Sequence, residues 1–422
     1  MTATAAAPTT PVAVFHPGVQ HSWQTATALQ QLGLLEFFAT SIFYNPDAWP
    51  YRIEKFLPAS LRAKVHREFS RFEHRALDPR DVQTVGLYEW AERMLARAGM
   101  SGLARKVDRI GNRRFASLLE DRIRGPRPFA LWGFNASSLE SFQAARAAGR
   151  TTILDRTIGD WRYFNHVMQT AAEKYGDWFV DGFNLIDREI IDRDEAEYAA
   201  SDVILCGSDY CAQTVREWST TPGVAEKVRV LPYCFDEALF ANAPASQPVD
   251  RNKPVRFIFV GQINIRKGVH HVLEAFAQLP PGSAELTLVG QMSITRKAFA
   301  PFRDRVTYLP TVPRAAIPQI MAEHHAIIFP SYFEGSSLSL LESLASGLAV
   351  VQTPQAGNGV TADTGILMDR PDTELTLAAM LQLIEDRDRL DHYRAHAQAE
   401  ARNYSFARYR ENIAALLRTL PA

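Results

Sequence analysis

The C-terminal half of the chain alternates apolar runs with helical patterns, and this alternation restricts the fold more than any other feature. The runs Phe257–Val260, Leu286–Val289, Val306–Leu309, Ile327–Phe329 and Ala349–Val351 are rich in β-branched and aromatic residues and lack strict polar alternation. Such runs fit strands of a parallel sheet covered by helices on both faces. Between them, Val269–Leu279, Ile317–His324 and Leu338–Ser346 place apolar residues at helical spacing. The first four runs end at Gly261, Gly290, Pro310 and Pro330, where a doubly wound sheet turns into ligand-facing loops.

The N-terminal half begins in the same way. Val12–Phe15 runs into His16-Pro17-Gly18 and a helix from about Ser22 to Leu32, and further strands are expected at Phe129–Trp132, Thr152–Leu154, Val203–Cys206 and Val228–Leu231. The stretch 51–127 interrupts the pattern and reads as a largely helical, Arg-rich insertion. A chain of 422 residues with 46% hydrophobic content exceeds one ordinary core and can fill two. The expected fold class is therefore α/β, with two Rossmann-like doubly wound domains facing a cleft. The expected layout is a disordered tail at 1–11, an N-terminal domain at 12–240, a polar linker at 241–253, a C-terminal domain at 254–405, and a last helix at 406–422 packing back on the first domain.

Bulk properties exclude several classes. A formal net charge of -1 argues against a globally basic nucleic-acid binder. Cys206, Cys211 and Cys234 offer no second Cys/His pair for a zinc site and read as buried, inert thiols. Met1 to Pro11 lacks Lys and Arg, unlike a secretory signal, and no run reaches the ~20 apolar residues of a membrane span. The expected location is cytoplasmic, with peripheral attachment to the inner face of a membrane as an option. For that option the insertion supplies Arg105, Lys106, Arg109, Arg113 and Arg114, interleaved with Leu103, Val107, Ile110 and Phe115, which fits a helix on anionic lipid or an ordinary solvated one.

The residues that carry chemistry cluster after Ile327–Phe329. A short loop holds Glu334 and Gly335, a helix starts near Ser337, and Glu342 lies more than one turn inside it among Leu340, Leu341 and Leu344. Gly335 permits close backbone approach, Ser336 or Ser337 can cap the helix, and the amides from Gly335 to Leu338 suit a diphosphate. A carboxylate at Glu342 needs partners, which the vicinal hydroxyls of a ribose would supply. Glu334 is placed to accept hydrogen bonds from sugar hydroxyls.

The spacing Glu334-x7-Glu342 in this strand–loop–helix setting resembles the signature of retaining GT-B glycosyltransferases of family 4. Phe257 to Gly268, which includes Gly261, Gln262, Arg266 and Lys267, is similar to that family's first C-domain strand and loop. The likeness extends over about Ile153 to Tyr409, through Glu195–Ser208 and Lys227–Asp236. The family places a Lys at Lys267, facing the donor diphosphate, and usually an Arg where this chain has Gln262; Arg266 is the residue that would replace that charge. Gln355–Val360 lacks the family's Glu, and Asp155–Asp160 lacks the His that many members carry. Val312 and Pro313 would lie against the nucleobase or serve packing alone. His16, Gly18 and His21 occupy the family's acceptor-facing turn.

The resemblance implies transfer of a sugar from a nucleoside-diphosphate sugar to a saccharide or lipid-linked acceptor in polysaccharide or glycoconjugate synthesis. Glu334, Lys267 and Arg266 would be catalytic; Gly261, Gln262, Gly335, Ser336, Ser337, Leu338, Glu342, Val312 and Pro313 would bind the donor. No cofactor or metal is expected, since Asp192-Arg193-Asp194 and Asp386-Arg387-Asp388 sit in charged, solvated stretches. The rival readings are a nucleotide-sugar epimerase on the same fold and a non-catalytic nucleotide-sugar-binding subunit; a glycosidase fits the helix-start site poorly.

Overall fold

A computed structural model describes residues 10–420, apart from 19–20, 75, 85–86, 98, 101, 104–106, 108–109, 111–118 and 242–247. Seven strands form the first sheet: β1 (Val12–His16), β2 (Leu35–Thr40), β3 (Val82–Thr84), β4 (Ala130–Phe134), β5 (Thr152–Arg156), β6 (Val203–Cys206) and β7 (Val228–Val230), in the order β3-β2-β1-β4-β5-β6-β7. Six form the second: β8 (Val255–Val260), β9 (Ala284–Val289), β10 (Thr307–Leu309), β11 (Ala326–Phe329), β12 (Ala349–Gln352) and β13 (Gly365–Leu367), in the order β10-β9-β8-β11-β12-β13. In the second sheet β8 pairs parallel with both β9 and β11. Each sheet therefore grows outward from its first strand and then reverses, and the reversal points lie between β1 and β4 and between β8 and β11. These are two Rossmann-like α/β sheets, the GT-B fold class.

The chain packs as two compact units, one of Met1–Asp155, Arg193–Ile204 and Arg410–Ala422, the other of Arg156–Asp192 and Leu205–Tyr409. The chain passes between the units after Asp155, Asp192, Ile204 and Tyr409, the last of these inside the helix Phe406–Leu417, and residues 241–253 lie within the second unit. The reason is visible in the packing. The helix Trp161–Tyr175, capped by the Asp160 side chain at 2.8 Å from the Arg162 amide, sends Phe164, Met168 and Ala171 into one cluster with Val255, Phe257 and Phe259 of β8. The stretch 51–127 is not wholly helical, because β3 lies within it and pairs with β2. Its basic residues Arg105, Lys106, Arg109, Arg113 and Arg114 lie outside the described residues.

The three cysteines are buried thiols outside any disulfide, and burial pushes the Cys234 thiol up to about 12. Among the described residues no helix is long and apolar enough to cross a membrane.

Buried histidines give the fold an acid limit. Burial pushes His271 down to about 4 and His325 down to about 3, and it lowers His270 and His324 as well. Below pH 6.5 the unfolded chain takes up protons that the folded chain refuses. Their stabilisation is complete above about pH 6.5 and is lost as the pH falls toward 4. Thermal unfolding followed by circular dichroism should show Tm dropping through that window, and His271→Gln should flatten the slope.

Candidate functional site

Two loops meet at the reversal point of the second sheet. After β8 the chain runs through Gly261 into the 3₁₀ turn Ile265–Lys267, which Asn264 caps by accepting the Lys267 amide at 3.0 Å. Gly268 follows at φ +70°, and a Cβ there would stand 1.9 Å from the carbonyl oxygen of Pro330, in the loop after β11. The Tyr332 amide donates to the Arg266 carbonyl at 2.8 Å. The loops are joined backbone to backbone, with no space for a side chain between them.

Three charges converge on this frame. Glu334 Oε1 lies 2.6 Å from Lys267 Nζ and 2.9 Å from Arg266 Nη1. Both contacts are close ion pairs at the distance of charge-assisted hydrogen bonds. Arg266 Nη1 also donates to the Phe333 carbonyl at 2.8 Å. Lys267 and Glu334 are each only 8% exposed, so this pair is held away from water, with the partly exposed Arg266 at its edge. Burial lowers the Lys267 ammonium from its ordinary value; Glu334 opposes that and Arg266 adds to it. Burial works to raise the Glu334 carboxyl, but Lys267 and Arg266 outweigh it and hold the group below its ordinary value. A buried excess of positive charge is costly without an anion to balance it.

The helix Leu338–Ala345 begins beside this cluster in the chain, and its start differs from the sequence expectation in two respects. Ser337 is the capping position, yet its side chain makes no capping bond, and its own amide donates to the Ala356 carbonyl at 3.1 Å. The amides available to a ligand are thus fewer than the full run from Gly335 to Leu338. Gly335 is required by protein, not by ligand: a Cβ there would lie 2.0 Å from the Thr157 carbonyl oxygen. Ser208 fixes the same loop, donating its hydroxyl to the Gly335 carbonyl and accepting the Cys211 amide at 3.1 Å. Ser336 and Leu338 are half-buried.

Glu342 is buried in the helix, with Arg314 Nη2 at 3.4 Å from Oε1. Burial raises its carboxyl to about 7, Arg314 pulls it down and Asp236 pushes it up. Arg314 was not among the expected residues. It opens the 3₁₀ turn Arg314–Ala316 directly after Val312 and Pro313, and a basic residue following that dipeptide was the available signal. Val312 packs at the edge of the cluster that contains Leu340 and Leu341, while Pro313 is exposed. Gln262 is exposed and accepts from Asn264 Nδ2 at 3.3 Å.

A partly buried chain of hydrogen bonds braces the Tyr332 end of the site. Thr373 donates to Glu274 Oε2 at 2.8 Å, so its oxygen must accept from His271 Nδ1, 2.7 Å away. A neutral imidazole with its proton on Nδ1 accepts at Nε2, and the Tyr332 hydroxyl lies there at 2.7 Å. Tyr332→Phe leaves the His271 Nε2 unpaired and is expected to cost about 1–2 kcal/mol of stability, measured by urea denaturation. An unchanged midpoint would show that the bond carries no load.

The loop after β1 belongs to the other unit. His16 is buried, its Nδ1 accepts the Gly18 amide at 2.9 Å, and its ring stands edge-on to Phe134 at 5.3 Å. Burial lowers its pKa. A Cβ on Gly18 would come within 2.9 Å of that ring. The His21 carbonyl accepts the Gln24 amide at the start of the helix Ser22–Gln31. The two Asp-x-Asp matches are engaged in structure: Asp192 faces Arg188 at 3.4 Å, Asp386 caps the helix Arg387–Ala401, and Asp388 pairs with Arg251. No group of three or more His, Cys, Asp or Glu suited to a metal occurs among the described residues.

With this geometry in place, residues 254–386 match the family model described as "Glycosyl transferases group 1". Similar curated proteins include O-antigen chain mannosyltransferase B of Escherichia coli, 26% identical over 159 residues, covering 35% of this chain and 42% of that protein. D-inositol 3-phosphate glycosyltransferase of Nocardia farcinica is 30% identical over 172 residues, covering 37% and 38% respectively. The matched part spans about two fifths of each relative. Among solved structures, Anabaena Alr3699/HepE in complex with UDP aligns over 97% of this chain and 100% of its own, with TM-score 0.60 and 13% identity; at that identity the likeness concerns the fold.

Proposed function

We propose that the chain is a glycosyltransferase that uses a nucleoside-diphosphate sugar, of the retaining family 4 type, acting in polysaccharide or glycoconjugate synthesis. The observation that carries the reading is the buried cluster of Lys267, Arg266 and Glu334, whose excess positive charge sits where a doubly wound sheet collects ligands. A leaving diphosphate brings about two negative charges, and a helix start worth ~0.5 of a charge does not balance them. Lys267 and Arg266 do so, and as fixed cations they stabilise the charge that develops as the glycosidic bond breaks. Glu334 orients the donor sugar as well as placing both cations. Glu342 accepts hydrogen bonds from the ribose, with Arg314 as its counter-charge. No cofactor or metal enters this scheme. The matched family and relatives support it, as does the UDP held by a protein of the same fold.

Calorimetric titration with UDP-, GDP- and dTDP-sugars, followed by product analysis with and without acceptor, tests the proposal. Release of nucleoside diphosphate coupled to sugar transfer is the expected outcome. Conversion of the sugar nucleotide without an acceptor would assign an epimerase instead, and binding without any turnover across an acceptor panel would assign a binding subunit.

A further inference from the structure

Large apolar side chains crowd the surface of one short segment in the unit that contains β1. Within residues 49–61, Trp49 is 63% exposed, Ile53 40%, Phe56 74% and Leu61 46%. The 3₁₀ helix Tyr51–Phe56 turns Tyr51 and Glu54 inward. Three residues per turn then place Ile53 and Phe56 together on its outer face. The helix that follows, Ala59–Phe69, buries none of its residues. Single exposed apolar residues are ordinary, but four in thirteen positions call for a partner.

The charges of the segment narrow that partner. Arg52, Lys55, Arg62, Lys64 and Arg67 are all exposed. Between residues 52 and 67 the one acidic residue is Glu54, and it is turned inward, with Oε2 at 3.1 Å from His66 Nδ1 and 3.2 Å from the Tyr44 hydroxyl. Outside this range Asp47 pairs with Lys55 at 2.7 Å. The outer surface is therefore apolar and cationic at once. A second copy of the chain would bring the same cations against themselves, since a two-fold interface repeats one patch. An anionic bilayer meets both demands, taking the aromatic side chains at headgroup depth and the cations at its negative surface.

We propose that Trp49–Arg67 is a membrane-docking surface that seats the chain on bilayers containing anionic lipid. It is a separate segment from the basic stretch at 105–114, and it does not depend on the reaction assigned above. The full chain is sedimented with vesicles of phosphatidylcholine alone and of phosphatidylcholine mixed with phosphatidylglycerol. The expected result is binding to the mixed vesicles at least about 10-fold tighter than to neutral ones, weakening as salt rises. Trp49→Ser with Phe56→Ser, and Arg62→Glu with Lys64→Glu, should each reduce that binding by about 10-fold or more. These residues are exposed, so Tm should stay at the wild-type value and loss of folding is separable from loss of binding. No binding of the wild-type chain to anionic vesicles overturns the proposal. So does binding that survives both double substitutions, which would place the lipid contact elsewhere. Phe56-dependent self-association in analytical ultracentrifugation, without vesicle binding, would give the surface to a second copy.

Discussion

Lys267→Met is expected to lower turnover by about 10²–10³-fold while the protein remains folded. The ammonium is buried beside Glu334 at 2.6 Å, and it shares that carboxylate with Arg266. Met keeps most of the side-chain volume, so the space under Phe329, whose ring lies 5.2 Å from Nζ, stays filled. Glu334 retains Arg266 and is not left as a lone buried charge, the situation that makes breaking a buried pair so costly. What disappears is the excess positive charge, and with it the balance for a leaving diphosphate. Steady-state kinetics with a saturating donor measures the effect. Wild-type turnover in a correctly folded Lys267→Met protein would remove Lys267 from the chemistry.

Glu342→Gln is expected to move stability and binding in opposite directions. The folded-state pKa is raised to about 7 from an ordinary 4.5, chiefly by burial. For a carboxyl raised in this way, the contribution to stability is fully present below about pH 4.5 and is lost as the pH climbs through 7. At pH 8 the native chain therefore carries an ionised Glu342 at a cost on the order of 3 kcal/mol. Gln removes that cost, so Tm should rise at pH 8 and change little at pH 5. The same substitution removes the charged acceptor assigned to the ribose and should weaken nucleotide binding by about 10- to 100-fold. Affinity of the wild-type chain should likewise fall as the pH drops below 7 and the carboxyl protonates. A residue that costs stability and repays it in ligand affinity is acting as a binding group. Unchanged affinity in Glu342→Gln would leave the burial of that carboxylate without a ligand to account for it.

The second sheet was legible because its strands are apolar on both faces. Phe257–Val260 and Ile327–Phe329 fall inside β8 and β11, and the glycine and proline after them mark the loops that carry Lys267 and Glu334. β3 and β13, each three residues long, escaped. β2 did have a signal, the run Leu34-Leu35-Glu36-Phe37-Phe38-Ala39 directly after a helix.

Within the site, residue types and spacing identified the charged groups but not how the protein holds them. Gly335 looked like room for a ligand, whereas the Thr157 carbonyl fills that space. The pairing of Glu342 with Arg314 joins two elements remote in sequence, and the brace of Thr373, His271 and Tyr332 joins three. Local patterns do not encode such contacts. The grouping of Trp161–Tyr175 with the second sheet was hidden for the same reason, since a helix shows which face it buries but not against what.

The most direct test titrates wild type and Lys267→Met with the nucleoside, nucleoside monophosphate and nucleoside diphosphate of whichever base binds. The buried cation should make the second phosphate add markedly to affinity in the wild type, and this increment should collapse in Lys267→Met while nucleoside binding is retained. An increment that is absent in the wild type, or equally large without the ammonium, would contradict the account.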